Sequence, residues 1–345
     1  MKIHLVIAAS AAIMLAPKAA TANEKSYQFQ SPRIGGSQSD QGAVQVGVNN
    51  DFNSSEYGSG NVISFLQGTR ASDASSLQTT FSQIGTYGLA AKNQHGDDVD
   101  HAALSQADNL ATRLTNWVAA GASSDGSLAD IEQDGDNNIT VFLQLGDSLI
   151  TNVNQVGSDN EAWVVMATHD SRVDIDQVNG GANLAVVTQL TDGVGTLVAE
   201  AVVVQDGHEN NANITQAASL GTVSLSAAIE QSGNYNIASI YQAGQSDAND
   251  RADIAQEGDD NLAMMSIYGL GNSGQISQNA NGTYADIQFT GNDNWVRITQ
   301  YEDNAHAATT VSGDDNNITI KQIANSTRID LNITGNNNKM KITQR

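Results

Sequence analysis

The dodecapeptide Gln231-Ser-Gly-Asn-Tyr-Asn-Ile-Ala-Ser-Ile-Tyr-Gln242 contains the pattern that decides the fold. Its residues follow the order Gln-x-Gly-x-x-Asn-x-φ-x-φ-x-Gln, where φ is an apolar or small residue. Residues 205–216 repeat the same order, with Gly207 and Asn210 in the equivalent places. Two copies of so specific a spacing indicate an internal repeat.

The repeat continues towards the end of the sequence at a fixed period. Steps of eleven residues backwards from Gln344 alternate between a large apolar residue and glutamine: Ile333, Gln322, Val311, Gln300, Phe289, Gln278, Ile267 and Gln256. A residue identity that is kept at a fixed period is typical of solenoids. The alternative is a β-sandwich or jelly roll with coincidental spacing, but such folds do not keep residue identities at one period.

Each unit predicts a strand followed by a tight corner. Between Asn294 and Gln300, the apolar residues Val296 and Ile298 alternate with residues of the opposite face. The corner is a glycine with two polar residues, as in residues 313–315, because glycine tolerates positive φ and Asp or Asn can bond its own backbone. Two strands and two corners recur every 22 residues. The sequence therefore predicts an all-β fold, a two-sheet β-solenoid of stacked strand–turn–strand repeats.

Stacked rungs about 4.8 Å apart would place each motif amide over its equivalent in the next rung. A buried amide without a partner costs on the order of 1–3 kcal/mol, so inward-facing Gln and Asn make sense only in a column. The predicted structural ladder comprises Gln133, Asn138, Gln144, Gln155, Asn160, Gln205, Asn210, Gln216, Gln231, Asn236, Gln242, Gln256, Asn261, Asn272, Gln278, Asn294, Gln300, Asn316, Gln322, Asn338 and Gln344. The predicted turn glycines are Gly135, Gly157, Gly207, Gly233, Gly258, Gly269, Gly291, Gly313 and Gly335.

The N-terminal residues have the features of a secretory signal peptide. Lys2 supplies the positive charge, residues 3–15 are apolar, and Ala20-Thr21-Ala22 forms an A-x-A cleavage site. We therefore expect a signal peptide over 1–22 and a linker or targeting segment over 23–43. Degenerate solenoid repeats are expected over 44–130 and regular repeats over 131–345.

Composition restricts the partners and the chemistry. The formal net charge is −23, which argues against nucleic acid and anionic lipid as partners. Cysteine is absent, so in an exported protein no disulfide framework holds the fold together. No later apolar stretch approaches the length of a membrane-spanning helix. We expect a chain that does not span the membrane.

The sequence shows no catalytic or metal-binding motif. The histidines have no metal-ligand spacing, and G-x-S-x-G, H-E-x-x-H and P-loop patterns are absent. The Asp-Asp pairs at 97/98, 259/260 and 314/315 fall at corners, where turn chemistry explains them. The sequence therefore predicts no cofactor, no metal site and no enzymatic activity.

The unit at residues 231–242 and 205–216 resembles the curlin repeat of curli-type fimbrial subunits, whose family forms functional amyloid on bacterial surfaces. The resemblance is strong over 131–345. It implies secretion through the periplasm of a diderm bacterium, passage through outer-membrane curli-type export machinery, and assembly into an extracellular fibre for adhesion and biofilm. It further implies that the chain polymerises with itself or with other curlin-like subunits, and that the motif Gln and Asn side chains form the ladders that drive polymerisation.

Two features depart from the usual curlin pattern. The chain is about twice the usual length, and the segment after the signal lacks the Gly-rich character of the major subunit. The end Lys339-Met-Lys-Ile-Thr-Gln-Arg345 resembles the basic final repeat of the minor, nucleating subunit. Lysines also commonly protect an exposed edge strand, so bulk fibre former and nucleator both stay open.

Two other classes of function are weighed against a fibre subunit. A monomeric β-solenoid adhesin or glycan-binding module would need a regular outward array such as Thr-x-Thr, and the outward positions here are heterogeneous. A β-helix enzyme acting on polysaccharide would need an acidic and basic cluster in one cleft, and the sequence offers none. The fibre subunit is the leading hypothesis.

Acidic corners that stack on one another give the first testable prediction. Two carboxylates about 4.8 Å apart repel by roughly 1 kcal/mol even in bulk water. We expect fibre assembly to be faster at about pH 4 than at about pH 8, and faster with calcium than without it. Thioflavin fluorescence measures the rates, and equal rates under all four conditions would contradict the prediction.

Overall fold

The structure is a computed structural model, and it describes residues 24–27, 40–46, 51–67, 126–191, 197–218, 223–242 and 250–345. Within these ranges the chain forms 23 β-strands that build two sheets. With one exception at the N-terminal end, consecutive strands along the chain alternate between the two sheets.

Twelve strands form one sheet, in the order β1-β2-β4 and then the even-numbered strands to β22. Their bounds are β1 Glu24–Tyr27, β2 Asp40–Val46, β4 Val62–Gln67, β6 Ile139–Leu145, β8 Glu161–Ala167, β10 Leu184–Thr191, β12 Asn211–Ala218, β14 Ile237–Gln242, β16 Leu262–Tyr268, β18 Tyr284–Thr290, β20 His306–Ser312 and β22 Arg328–Thr334. All neighbours pair in parallel except β1, which is antiparallel to β2.

Eleven strands form the other sheet, and each of its pairs is parallel. Their bounds are β3 Asp51–Tyr57, β5 Leu128–Asp134, β7 Ile150–Ser158, β9 Arg172–Gly181, β11 Leu197–Asp206, β13 Val223–Ser232, β15 Arg251–Glu257, β17 Ser273–Asn279, β19 Trp295–Gln300, β21 Asn317–Gln322 and β23 Lys339–Gln344.

The repeat fixes the register of this stack. Gln300 lies opposite Gln322, and Gln322 lies opposite Gln344, so each rung places its glutamine over the glutamine of the rung before. The regular rungs are 22 residues apart. The predicted fold class, a two-sheet β-solenoid, is therefore confirmed.

The core lies between the sheets, where every second side chain of a strand points. In β19, β20 and β21 the burial pattern alternates, and Val296, Ile298, Ile318 and Ile320 are fully buried. Burying one such side chain contributes roughly 1.5–3 kcal/mol, and the column repeats this contribution in every rung.

At corners such as that of Gly291, successive rungs lie so close that only glycine fits. Gly291 has φ +129°, and a Cβ placed on it would lie 2.1 Å from the carbonyl oxygen of Gly313 in the next rung. Two residues later, Asp293 also adopts positive φ, which Asp and Asn tolerate better than most residues. The glycine prediction thus has a steric reason as well as a conformational one.

Most of the irregular spacing falls at one type of corner. The segments 47–50, 68–125, 192–196, 219–222 and 243–249 lie outside the described residues, and each follows a strand of the twelve-stranded sheet and precedes a strand of the eleven-stranded sheet. Rungs that include 192–196, 219–222 or 243–249 are 25 to 28 residues long instead of 22, and the rung that includes 68–125 is 77 residues long. The strands on either side of these segments keep the register of both sheets.

The proposed division of the chain stays a prediction. The signal peptide over 1–22 lies outside the described residues, as does the segment 68–125 within the range 44–130. Strands β1 and β2 lie across the predicted linker over 23–43, and β3 and β4 lie in the predicted degenerate repeats.

Replacing a corner glycine by alanine should destabilise the fold most where another rung lies directly above that corner. We expect Gly291→Ala to destabilise the monomer by about 1–3 kcal/mol more than Gly335→Ala, because overpacking displaces the neighbouring rung. Gly335 is the matched control, since it has a similar φ of +114° while a Cβ there would meet only Asn338 Nδ2 at 3.7 Å. Denaturant unfolding measures both, and equal losses would show that backbone strain alone explains the glycines.

Candidate polymerisation site

The main feature of the interior is a continuous column of glutamines in the eleven-stranded sheet. The Nε2 of each donates a hydrogen bond to Oε1 of the glutamine in the following rung, at 2.8 to 3.2 Å. Its members are Gln133, Gln155, Gln177, Gln205, Gln231, Gln256, Gln278, Gln300, Gln322 and Gln344. Every bond points the same way, towards the C-terminal rung, so the column is polar from end to end.

The second N–H of each glutamine amide donates a hydrogen bond across the core to the other sheet. Gln300 Nε2 donates to the carbonyl oxygen of Tyr284 in β18 at 2.8 Å, and Gln278 donates likewise to Leu262 in β16 at 3.0 Å. Gln278 and Gln300 are fully buried. One amide group therefore ties a rung to its neighbour and one sheet to the other, and both of its N–H donors are satisfied.

A shorter glutamine column in the twelve-stranded sheet has the opposite polarity. Gln242 Nε2 donates to Gln216 Oε1 at 2.9 Å, and Gln216 donates to Gln189 at 2.8 Å, towards the N-terminal rung. Beyond Gln242 the column continues with Ile267, as the alternation in the sequence predicts. Gln144 makes a different contact, since its Nε2 donates to Thr151 Oγ1 at 2.8 Å.

Asparagines form two further columns, one at each corner. Asn210 illustrates the geometry: its Oδ1 accepts the backbone N–H of Asn236 at 3.0 Å, and its Nδ2 donates to the carbonyl oxygen of Gly233 at 2.8 Å. The first column contains Asn61, Asn138, Asn160, Asn183, Asn210, Asn236 and Asn261. The second contains Asn272, Asn294, Asn316 and Asn338. These side chains satisfy the backbone groups that a tight corner leaves without partners.

Sequence reasoning missed several members of these columns. Gln177, Asn183 and Gln189 belong to a unit that is one residue too long, and the structure absorbs the extra residue in a register shift where Gly157 pairs with Gly180. Asn61 was missed because Glu56 stands where the unit has its first glutamine. The repeat motif would have identified these residues in the sequence if it had allowed for one inserted or one substituted residue.

The match to a known family falls on the start of the regular stack. The family model of the curlin associated repeat matches residues 125–157. This chain contains a curlin repeat. The matched stretch covers β5, β6 and β7, with Gln133, Asn138 and Gln155 in the columns described above. The resemblance drawn from the sequence is confirmed there, and a comparison with curated proteins gave no match.

One position in the columns of curlin-repeat amides is a carboxylate. Asp250 occupies the place before the second asparagine column, and its Oδ1 accepts the backbone N–H of Asn272 at 2.8 Å. Only 2% of Asp250 is exposed, and its Oδ2 is buried without a hydrogen-bond partner. Burial raises the pKa of Asp250 to about 6, against the hydrogen bonds from Asn272, which lower it.

On the outer surface, amides separate many of the carboxylates that stack on one another. Asp259 Oδ1 accepts the backbone N–H of Asn234 at 2.8 Å, and the backbone N–H of Asp259 donates to Asn281 Oδ1 at 2.8 Å. Asp314 likewise lies between Asn292 and Asn336. Within one subunit the repulsion at these corners is therefore weaker than the sequence alone suggests. The pair at 97/98 lies outside the described residues.

The C-terminal rung is the edge of both sheets. In the structure β22 pairs with β20 and β23 pairs with β21, each on one side. Met340 points inwards above the fully buried Ile318, yet it is 39% exposed. The rung thus presents backbone donors and acceptors, a partly open core and the end of the glutamine column, with Lys339 and Lys341 exposed at its rim.

Within the described ranges, no three His, Asp or Glu side chains are grouped closely enough to hold a metal ion. His169 Nδ1 instead accepts the backbone N–H of Asp147 at 3.1 Å, and His306 Nδ1 lies 3.6 Å from one carboxylate, that of Asp330. No helix in the described part of the chain is long and apolar enough to cross a membrane.

Asp250 should make the stability of the solenoid depend on pH. Its pKa is higher in the folded chain than its ordinary value of 3.8, so its proton stabilises the fold. Stability should fall as the pH rises from about 4 through about 6, by about 2 kcal/mol in total. Asp250→Asn should raise the free energy of unfolding at neutral pH and remove this step. The half-buried Asp253 of β15, substituted as Asp253→Asn, is the control, and a step that persists in Asp250→Asn would disprove the assignment.

Proposed function

We propose that this chain is a structural subunit of an extracellular, curli-like amyloid fibre, in which the amide columns of one copy continue into the next. The observation that carries the proposal is the polar glutamine column of ten residues that reaches the edge strand β23. The curlin repeat over 125–157 supports it.

The chemistry of the edge favours addition of another rung. Gln344 accepts from Gln322 at 3.2 Å, while its own Nε2 reaches only the carbonyl oxygen of Arg328 at 3.4 Å. Asn338 Oδ1 accepts no hydrogen bond within the described chain, whereas Asn316 Oδ1 accepts the backbone N–H of Asn338 at 3.0 Å. A rung from a second copy would supply an acceptor for Gln344 and a donor for Asn338.

The energy of such a junction depends on both sheets docking together. A rung of two strands adds on the order of ten backbone hydrogen bonds, each with a net value of about 0.5–1.5 kcal/mol. Association costs about 4–15 kcal/mol in lost freedom. One strand supplies only half of these bonds, whereas two strands supply all of them and add the amide and core contacts that are needed to exceed the cost. Polymerisation should therefore be selective for copies that continue the 22-residue repeat.

The setting of the fibre follows from the resemblance. The chain is secreted through the periplasm of a diderm bacterium by curli-type export machinery in the outer membrane, and it serves adhesion and the biofilm matrix. Its partner is a further copy of itself or another curlin-like subunit, and it acts as a structural protein instead of an enzyme. The net charge of −23 disfavours nucleic acid as a component of the fibre.

Purified chain should assemble spontaneously into fibres that bind thioflavin. Their diffraction should show reflections near 4.8 Å and 10 Å, from the spacing of rungs and of sheets. The Gly335→Ala variant should fold normally but elongate at least several-fold more slowly, because its Cβ would occupy the place of the next rung's carbonyl oxygen.

Head-to-tail addition uses one C-terminal rung at every junction, so Gly335→Ala affects all of them. Gly126→Ala is the control, since a Cβ there meets nothing within 4 Å at a similarly positive φ of +67°. A monomer that never forms fibres would refute the proposed function. Fibres of Gly335→Ala that grow at the normal rate would show that the C-terminal rung is not the docking surface.

A further inference from the structure

The outer face of the eleven-stranded sheet is negative near its N-terminal end and positive at its C-terminal end. In β5 and β9, four carboxylates lie at outward positions, and we call them the acidic zone: Asp130, Glu132, Asp174 and Asp176. The last four strands, β17, β19, β21 and β23, contain no Asp or Glu. Their cations form the basic zone: Arg297, Lys321, Lys339 and Lys341. Because the formal net charge of the chain is −23, this end of the face differs from the composition as a whole.

Strand alternation puts both zones on the side away from the core. The residues between the charged ones belong to the interior cluster, as Ile131 does in β5 and Ile298 does in β19. All four residues of the basic zone are exposed, and those of the acidic zone are exposed or half-buried. Carboxylates at the corners, such as Asp136 and Asp315, border both ends of the face alike, so they leave the difference between the zones intact.

The acidic zone lines a shallow open depression of about 280 Å³, which Asn152 and Asn154 of β7 also line. Asn152 Nδ2 donates to Asp174 Oδ1 at 2.7 Å, and Asn154 Nδ2 donates to Asp176 Oδ1 at 2.8 Å. These hydrogen bonds hold two carboxylates of the zone in fixed positions. The depression gives a long cationic side chain room to approach them.

The charges of the two zones have the same spacing. Asp130 and Asp174 lie in one column of outward positions, two rungs apart, with the neutral Asn152 between them. Arg297 and Lys341 also lie two rungs apart in a column, with one neutral residue between them. Two rungs correspond to roughly 10 Å in both cases. Parallel pairing along the sheet makes these the same column, so the zones match in spacing and differ in sign.

We propose that this face binds the same face of a second copy that runs in the opposite direction. A two-fold axis parallel to the strands relates the two copies, so each column of outward positions faces the same column of the other copy. The axis passes between β13 and β15, which places β5 opposite β23 and β9 opposite β19. Asp130 then faces Lys341 of the second copy, and Asp174 faces Arg297. The symmetry forms every such contact twice.

Lys321 fits the same arrangement. It lies in the next column of outward positions, which at the other end of the sheet contains Glu132, Asn154 and Asp176. In the antiparallel pair β21 lies opposite β7, whose residue in this column is Asn154. Lys321 therefore lies between Glu132 and Asp176 of the second copy and is attracted by both.

The cation of β9 also finds a suitable neighbour. Arg172 donates to Asp174 Oδ1 at 3.0 Å within its own strand. Its column leads to Trp295 of β19, which therefore faces it in the antiparallel pair. A guanidinium group over an indole ring is a favourable contact. Arg172 thus does not oppose the pairing.

Charge also decides the direction of the second copy. Copies that run in the same direction would place acidic zone against acidic zone, and like charges across an interface disfavour association. Exposed ion pairs are individually weak, so the antiparallel pair depends on the whole set and should weaken as salt screens it. The face lies beside the stack, so two soluble copies suffice for pairing. In fibres it would join two filaments side by side, an extension that rests on the proposed function.

Introduced cysteines test the pairing, because the chain has none of its own. Asn152→Cys and Thr319→Cys lie in the same column on β7 and β21, so they face each other in the antiparallel pair. A short bismaleimide that spans the roughly 10 Å between packed sheets should join them into a covalent dimer at low salt, visible on a denaturing gel. Within one copy these positions are seven strands apart, roughly 34 Å, and in a head-to-tail junction they are four strands apart, roughly 19 Å. Neither arrangement can therefore give this cross-link.

Two controls use the same second cysteine. Thr319→Cys alone should give several-fold less dimer, because the two copies of this position lie seven strands apart in the antiparallel pair. Asn213→Cys with Thr319→Cys should also give several-fold less, because Asn213 occupies an outward position of β12 in the other sheet. A control yield equal to that of the test pair would overturn the proposal, and with Thr319→Cys alone it would indicate copies that run in the same direction.

Charge variants test the cause of the pairing. In the cysteine-pair background, Asp130→Asn with Asp174→Asn should lower the dimer yield several-fold. The matched control is Asp286→Asn with Asp330→Asn, which makes the same change at two outward positions of the twelve-stranded sheet that are also two rungs apart. An unchanged yield in the first pair, or an equal loss in both pairs, would contradict docking through this face.

Two further measurements keep the outcomes distinct. Sedimentation velocity of the soluble chain at low salt compares the same aspartate pairs without cysteines, so it decides the matter if the cysteine pair does not fold. Thioflavin fluorescence follows fibre growth of each variant separately. Fibres without lateral cross-links would overturn the pairing and leave the proposed function intact, whereas cross-links without fibres would refute the proposed function alone.

Discussion

The structure depends on a vertical hydrogen bond between identical carboxamides. A glutamine in the interior of a protein is costly unless both its donors and its acceptor are used, and here the required partner is the same residue one rung away. This requirement makes the rungs keep one register, because a slip of two residues would place an amide against an aliphatic side chain, as Gln300 against Ile320. Aliphatic columns alone, such as Ile298 on Ile320, would tolerate that slip much better.

The sequence of the regular repeats was sufficient to predict the fold, since the alternation from Gln256 to Gln344 translates directly into two sheets and a rung length. It was less informative where a unit is longer or substituted, as at Gln177, Asn183 and Asn61, because a one-residue bulge breaks the spacing but not the column. The role of Asp250 needed coordinates, because only burial distinguishes it from the many aspartates at corners.

Polarity distinguishes the two glutamine columns. The long one donates towards the C-terminal rung and the short one towards the N-terminal rung, so their dipoles oppose one another where they run side by side, between Gln177 and Gln242. Beyond that region only the long column continues. The stretch from Gln256 to Gln344 therefore contains one glutamine column, whose bonds all point towards the edge at which we propose that the next copy binds, while the asparagine column beside it donates the other way.

The segments of irregular length follow strands of the twelve-stranded sheet, and this placement has a consequence for how such a protein can evolve. Insertions at this flank do not alter which residues of the flanking strands face the core, whereas an insertion at the opposite corner must be absorbed within a strand pair, as at Gly180. In a filament, the strand ends that flank these segments would lie along the same longitudinal ridge of every subunit. Selection could therefore diversify that ridge for contact with surroundings while the scaffold beneath it stays constant.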